Sequence, residues 1–128
     1  MELQTIHSDA RGSISLLLGD LNMFKEVTVF KTNAGFARGG CQHDIHDEFA
    51  CVVEGEIEYV LGKSKEVFIM GAGDTLRIPR GTPHYFLSIN SSVVLEWGAD
   101  PEEKKNKHAE FRKIVDDFNS TKIASDML

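Results

Sequence analysis

Between Ile14 and Trp97 the chain is a succession of short apolar runs: ISLLLG, EVTVFKT, EFACVVEG, EIEYVLG, KEVFIMG, DTLRIP, HYFLSI and SSVVLEW. Glycine, proline or polar residues separate them. Runs of this length at this spacing are strands, and many of them in sequence make a sandwich or barrel. In EIEYVLG, Ile57, Tyr59 and Leu61 fall on one face, which leaves the partly charged opposite face to solvent. LGKSKEV joins two runs as a hairpin turn, with Gly62 supplying conformational freedom.

After Gly98 the pattern changes to DPEEKKNKHAEFRKIVDDFNS. Asp100 suits an N-cap, Pro101 the first helical position and Glu103 a capping box, which predicts a helix over about 101–118. Phe111, Ile114, Val115 and Phe118 recur at the spacing of one helical stripe. That stripe is expected to pack across the outside of its own barrel, with exchange of the helix between two copies as the alternative. Residues after Asn119 carry little pattern and are expected to fray.

A chain of 128 residues and 14.3 kDa supports one core, so a single domain is expected over 1–128, with the barrel at about 7–99. No stretch is long and apolar enough to span a bilayer. Lysine and arginine number 14 against 20 acids, a net charge of -6 without a basic block, which argues against nucleic acid. Single arginines inside a cleft can still hold a small anion. The opening MELQTIHSDARG lacks the apolar run of a signal peptide, so a cytoplasmic location is expected, with Cys41 and Cys51 reduced.

The stretch from Gly39 to Gly55, GGCQHDIHDEFACVVEG, concentrates the chemistry. Gly35 is followed by five residues, Cys41-Gln42-His43, four residues, Glu48, six residues and Gly55. Further on, Gly73 is followed by five residues, Pro79-Arg80-Gly81, two residues and His84, with Ser88 three residues beyond. These spacings resemble the two signatures of the cupin superfamily, except that cysteine replaces the first histidine and Ser88 the usual asparagine. The resemblance implies an all-β fold, a double-stranded β-helix or jelly-roll barrel, here with a C-terminal helix. Alternate residues share a strand face, so Cys41 and His43 can both enter the barrel mouth, where His84 would converge on them. Gly55 and Gly81 read as turn positions.

SDARGSISLL and ARGGCQH also resemble the sugar-nucleotide branch of the cupins, the dTDP-4-dehydrorhamnose 3,5-epimerases and dTDP-4-keto-6-deoxyhexose 3,4-ketoisomerases. The matching positions are Asp9, Arg11, Gly12, Arg38, Gly39, Cys41 and His43. That resemblance implies an isomerase or epimerase that removes a proton next to the keto group of a nucleotide-linked 4-keto-6-deoxy sugar. His43 would be the base, His84 and Glu48 would shape the site, and Arg38 and Arg11 would hold pyrophosphate, with Arg80 a further substrate contact. No cofactor is required on this reading. Cys41 stands where a histidine would assist catalysis, and EVTVFKT offers Phe30 where the ketoisomerases have a tyrosine. Tyr85 could replace that phenol only by facing inward, whereas alternation turns it outward when His84 faces in.

The same residues also make a metal site. His43, Glu48 and His84, with Cys41 as a fourth ligand, suit Zn, Fe or Mn, and define a metal-dependent small-molecule cupin such as a dioxygenase or isomerase. A non-catalytic sugar-binding barrel is the third reading. His46 is a spare ligand or a rim residue, and Glu48 is a ligand or an anchor for an arginine such as Arg80. Cys51 reads as a small hydrophobe, and His7 and His108 as surface residues. The family resemblance also implies a homodimer formed through barrel edges.

Overall fold

The computed structural model describes residues 2–18, 27–99 and 105–128. It comprises β1 (Glu2–Asp9), β2 (Gly12–Leu18), β3 (Val27–Thr32), β4 (Ala37–Gln42), β5 (Glu48–Glu54), β6 (Glu56–Leu61), β7 (Glu66–Gly71), β8 (Thr75–Ile78), β9 (His84–Ser88), β10 (Ser92–Trp97), β11 (Asn106–Lys107) and α1 (Ala109–Asp126). One antiparallel sheet has the order β1-β2-β3-β10-β5-β8 and the other β11-β4-β9-β6-β7. The expected all-β barrel with a C-terminal helix is therefore present.

Period-two alternation sets the inner faces. On β6, Ile57, Tyr59 and Leu61 are buried, and across the ladder Tyr59 pairs with Phe86. On β10, Ser92, Val94 and Glu96 are buried while Val93, Leu95 and Trp97 are half-buried. The resulting core joins both sheets through Ala50, Val52, Ile57, Ile78, Phe86 and Val94. The β6–β7 hairpin turns at Gly62, whose φ is 77°, and Lys65 N donates to Gly62 O at 2.9 Å.

Strands β1, β4 and β11 were not among the apolar runs. β4 has the sequence ARGGCQ, in which two glycines hide the strand pattern. Those glycines make a bulge: Gly39 pairs with Tyr85, yet Cys41 pairs with His84, leaving Gly40 as the extra residue. Simple alternation from Arg38 would turn Cys41 outward. The bulge restores it to the inner face, so Arg38, Cys41 and His43 all face inward. Both glycines have positive φ, 107° and 88°, and a Cβ on Gly40 would lie 2.8 Å from Arg112 Cα. Only glycine fits there without displacing the helix.

The helix differs from expectation at both ends. Asp100, Pro101 and Glu103 lie outside the described residues, and the helix begins at Ala109 rather than near 101. Asn106 and Lys107 are extended and pair with Gln42 and Cys41, and His108 N donates to Gly40 O at 2.9 Å. The edge of β4 thus captures this segment as a strand. His108, expected on the surface, caps the helix: its Nδ1 accepts from Phe111 N at 3.3 Å.

Phe111 and Val115 are fully buried against Ala37, Val60 and Tyr85 on the outside of the second sheet, with Ile114 alongside. Phe118, the last member of the expected stripe, is 39% exposed. The helix does not fray after Asn119. Asn119 Oδ1 accepts from Ala37 N at 2.8 Å and Nδ2 donates to Ala37 O at 3.1 Å, which ties the helix to β4. Lys122 and Asp126 form an i,i+4 pair in the last turns. Asn119→Ala is expected to lower unfolding free energy by about 1–3 kcal/mol, the cost of stranding both main-chain groups, as measured by urea denaturation.

Candidate functional site

The inner-face positions converge near one end of the barrel. His84 opens β9 with its side chain inward, and Glu48 does the same at the start of β5. Glu96 and Tyr59 reach the region from β10 and β6. Glu48 Oε1 lies 3.0 Å from His43 Nε2 and 3.3 Å from His84 Nε2. All three side chains are at most a tenth exposed. Tyr59 Oη donates to Glu96 Oε2 at 3.2 Å, and the Tyr59 ring lies 6.2 Å from that of His84. Cys41 sits opposite His84 in the β4–β9 register and makes a polar contact with it.

His84 Nδ1 is 3.0 Å from Thr82 O. A carbonyl only accepts, so Nδ1 carries the proton, and a neutral His84 turns a bare Nε2 toward the Glu48 carboxylate. Two lone pairs then face each other across 3.3 Å. A proton on Nε2 or a cation between the groups removes that repulsion. Burial opposes the charged form of His84, but the contacts with Cys41 and Glu48 and the charge of Glu96 outweigh it and raise its pKa well above the usual 6.5. Burial also pushes Glu96 up from 4.5 to about 7, reinforced by the Glu48 charge. Tyr59 is pushed well above 10, first by burial and then by the two carboxylates.

These shifts set a pH dependence for the metal-free protein. The folded state binds more protons than the unfolded chain between the ordinary Glu96 value of 4.5 and the folded value of about 7. The associated stability is fully present below that window and is lost as pH rises through it; the raised His84 acts with the same sign at higher pH. Protein held in chelator is therefore expected to resist urea better at about pH 5 than at about pH 8, and Glu96→Gln to flatten the slope.

The residues fit a divalent metal. Glu48 Oε1 is buried and accepts no well-aligned hydrogen bond among the described residues, although both imidazoles approach it. Donors each about 2.1 Å from one ion are themselves roughly 3.0–3.4 Å apart, which is the spacing of Glu48 Oε1 from each of the two imidazole nitrogens. The Thr82 carbonyl fixes the His84 tautomer as an outer partner does for a metal-bound histidine. Glu48, His84 and Glu96 are the group among the described residues whose donor atoms all come within 4.8 Å of one another; His43 meets Glu48 but is not a member of that group. The donor set of two nitrogens, carboxylate oxygen and thiol sulfur suits zinc or iron, and without the thiol also manganese.

A cavity of about 280 Å³ opens over these groups, near the lower end of ligand-site sizes. Cys41, His43, Glu48 and His84 line it, and so do Arg11 and Arg38. Arg38 is 2% exposed; its Nε donates to Thr32 Oγ1 at 2.8 Å and its Nη2 to Lys31 O at 3.1 Å. Burial lowers its pKa to about 10, so it stays cationic at neutral pH. Arg11 is held by Asp9, the closest contact being 2.7 Å, and the guanidinium keeps the Asp9 carboxyl well below its usual range.

Tyr85 and Arg80 are corrected as substrate contacts, and His46 takes the turn or rim position that was one of its two expected places. Tyr85 points away from the cavity, stacking edge-on against Phe111 at 5.2 Å, because alternation from His84 turns it outward. Arg80 lies exposed in the turn before β9, its main-chain N donating to Asp47 Oδ1 at 2.8 Å, and Glu48 does not anchor it. His46 is exposed in the bend between β4 and β5, outside the cavity. Cys51 is half-buried on the outer face of β5 and no disulfide forms. Sequence reasoning missed Glu96, although alternation in SSVVLEW places it on the same face as Val94. It also gave the hydroxyl of the inward-facing Tyr59 no role, and missed Lys105, Lys107 and Arg112 at the cavity wall.

No helix among the described residues is long and apolar enough to cross a membrane. No curated protein matches the sequence. The fold is similar to that of the capsular polysaccharide assembling protein CapF from Staphylococcus aureus, with a TM-score of 0.66 at 19% identity over 84% of this chain and 32% of CapF. It is similar to KdgF from Halomonas sp., with a TM-score of 0.61 at 21% identity over 77% of this chain and 84% of KdgF. A mutant of Bacillus subtilis oxalate decarboxylase OxdC gives a TM-score of 0.67 at 18% identity over 81% of this chain and 29% of OxdC. The chain thus spans about a third of CapF and of OxdC. The Cupin domain family matches residues 31–111, across the inward-facing histidines and Glu48, and the chain belongs to that family.

Proposed function

We propose that this protein is a metal-dependent small-molecule enzyme that moves a proton next to the carbonyl of an anionic sugar derivative. The observation that carries this reading is Glu48 Oε1 between two imidazole nitrogens at 3.0 and 3.3 Å, with the His84 Nδ1 proton engaged by Thr82 O so that Nε2 is the nitrogen left to bind a cation. His43, Glu48 and His84, with Cys41 beside them, would hold a divalent ion. Bound there, the ion supplies Lewis-acid polarisation of a carbonyl. Bacillus subtilis oxalate decarboxylase, whose fold this chain shares, has Mn(II) centres.

The chain's own groups divide the remaining work. Glu48 and Glu96 are the carboxylates among the described residues lining the cavity, and Glu48 is committed to the histidines. Glu96 is therefore the group that takes and returns the substrate proton, and Tyr59 orients it through the 3.2 Å hydrogen bond. Arg38, at the cavity wall, draws the anionic end of the substrate, with Arg11, forked onto Asp9, lining the same cavity. The apolar flank formed by Ile14, Phe30 and Phe86 excludes water from the reacting carbon.

A metal-free sugar-nucleotide isomerase with His43 as base is the second reading, favoured by the Glu48 contact that would stabilise an imidazolium at His43. A cavity of about 280 Å³ takes the sugar but leaves a nucleotide outside. Free and nucleotide-linked 4-keto sugars incubated in deuterated solvent test both readings. Metal-dependent deuterium uptake supports the first, and uptake that survives chelation supports the second. No uptake across dTDP-, UDP- and GDP-linked and unlinked substrates would overturn both. A homodimer belongs to the same proposal: β1 is exposed from Leu3 onward, with Leu3 and Ile6 each 53% exposed, and sedimentation would show whether a second copy covers it.

A further inference from the structure

The cavity wall carries more positive charge than the proton-transfer chemistry uses. In a chain with a net charge of -6, five cations line one cavity. Two are occupied: Arg11 is forked onto Asp9, and Arg112 donates to Gly39 O at 2.6 Å and to Asp116 at 3.2 Å. Arg38 is different. Its Nε and Nη2 are bonded, but Nη1 is buried without a hydrogen-bond partner among the described residues. A buried guanidinium nitrogen with no acceptor costs free energy unless a ligand supplies one.

The remaining cations come from the segment that joins the barrel to the helix. β11 pairs with β4 at Cys41 and Gln42, which lays it along the cavity rim. Alternation then sorts its side chains. Asn106 turns outward and its Nδ2 donates to Asp44, while Lys105 and Lys107 on the other face both line the cavity.

We propose that β11 is a phosphoryl clamp, with Lys105 and Lys107 closing on a phosphate oxyanion whose buried oxygen is held by Arg38 Nη1. Arg38 has only one free nitrogen, so it cannot present the two-pronged fork that suits a carboxylate. Three separate point donors instead match the oxygens of a tetrahedral phosphoryl group, for which lysine is a common partner. The inference rests on the enzyme reading only in placing the ligand's reacting end at Glu48 and Glu96. It names the substrate class as a phosphorylated or nucleotide-linked small molecule.

Calorimetric titration of the 128-residue chain as purified tests this, with pyrophosphate, inorganic phosphate, nucleoside diphosphates and acetate as probes. Saturable binding of a phosphoryl probe is expected, weakening with salt, with acetate at least about tenfold weaker. The double variant Lys105→Ala/Lys107→Ala is expected to weaken the best probe by about tenfold or more. Its side chains are exposed, so folding is preserved where Arg38→Met would risk it. Preference for a nucleoside diphosphate identifies a nucleotide-linked ligand, and preference for inorganic phosphate a simple phosphate ester; both support the clamp. No saturable phosphoryl binding, equal binding by the double variant, or acetate binding as tight as phosphate would overturn it. The titration needs neither turnover nor metal content. A metal-free protein that binds pyrophosphate through the lysines would retain the clamp and lose the metal reading, and a metal-loaded protein that ignores pyrophosphate would do the reverse.

Discussion

Glu96→Gln is expected to slow solvent-deuterium incorporation by about 10²- to 10⁴-fold while metal content stays at the wild-type level. Glutamine keeps the shape of the side chain and can still accept from Tyr59 Oη, so the buried pair at 3.2 Å survives. What it cannot do is take a proton. Metal content separates this role from that of a ligand. Glu48 touches both imidazoles, at 3.0 and 3.3 Å, whereas Glu96 is bonded to Tyr59 and shares one group of converging donor atoms with Glu48 and His84. Loss of metal together with turnover in Glu96→Gln would make Glu96 a ligand and leave proton transfer to another group.

Glu48→Gln is expected to do the opposite: metal affinity falls by at least about 100-fold, beyond the range for losing an outer partner, and turnover falls with it. The amide removes the negative charge that faces both imidazoles. It also gives His84 Nε2 an N–H donor, so the folded protein keeps its packing and circular dichroism without an ion. Retained stability is part of the expectation, because exchanging a buried charge for an isosteric neutral group avoids a desolvation cost. Metal affinity within a factor of a few of wild type in Glu48→Gln would remove Glu48 from the ligand set.

Much of this architecture was legible in the sequence where one face of a strand is uniformly apolar. Ile57, Tyr59 and Leu61 declare the inner face of β6, and the two glycine-punctuated spacings bring Cys41, His43, Glu48 and His84 to one cavity wall. β4 escaped because ARGGCQ has no apolar alternation, and its bulge is a tertiary feature: only pairing with β9 shows that Gly40 is the extra residue. β11 and the late helix start escaped for a related reason. Asp100, Pro101 and Glu103 are good local helix signals, but the main-chain bonds that β4 offers to Asn106 and His108 are invisible until the sheet exists.

Glu96 was the avoidable omission. Ser92, Val94 and Glu96 alternate on one side of SSVVLEW, so an inward Val94 implies an inward carboxylate. Tyr59 was placed on the inner face correctly, yet its hydroxyl gained meaning only once Glu96 stood opposite it. The lysines of β11 could not have been read as part of a site, since their orientation depends on the two-residue pairing with β4.

Elemental analysis of wild-type protein, purified without chelator or affinity tag, bears most directly on the centre formed by His43, Glu48 and His84. Near-stoichiometric zinc, iron or manganese per chain is expected, released as pH falls and the ligands take up protons. Wild-type protein that is metal-free as purified and stays so after incubation with each of these ions would contradict a metal-dependent enzyme.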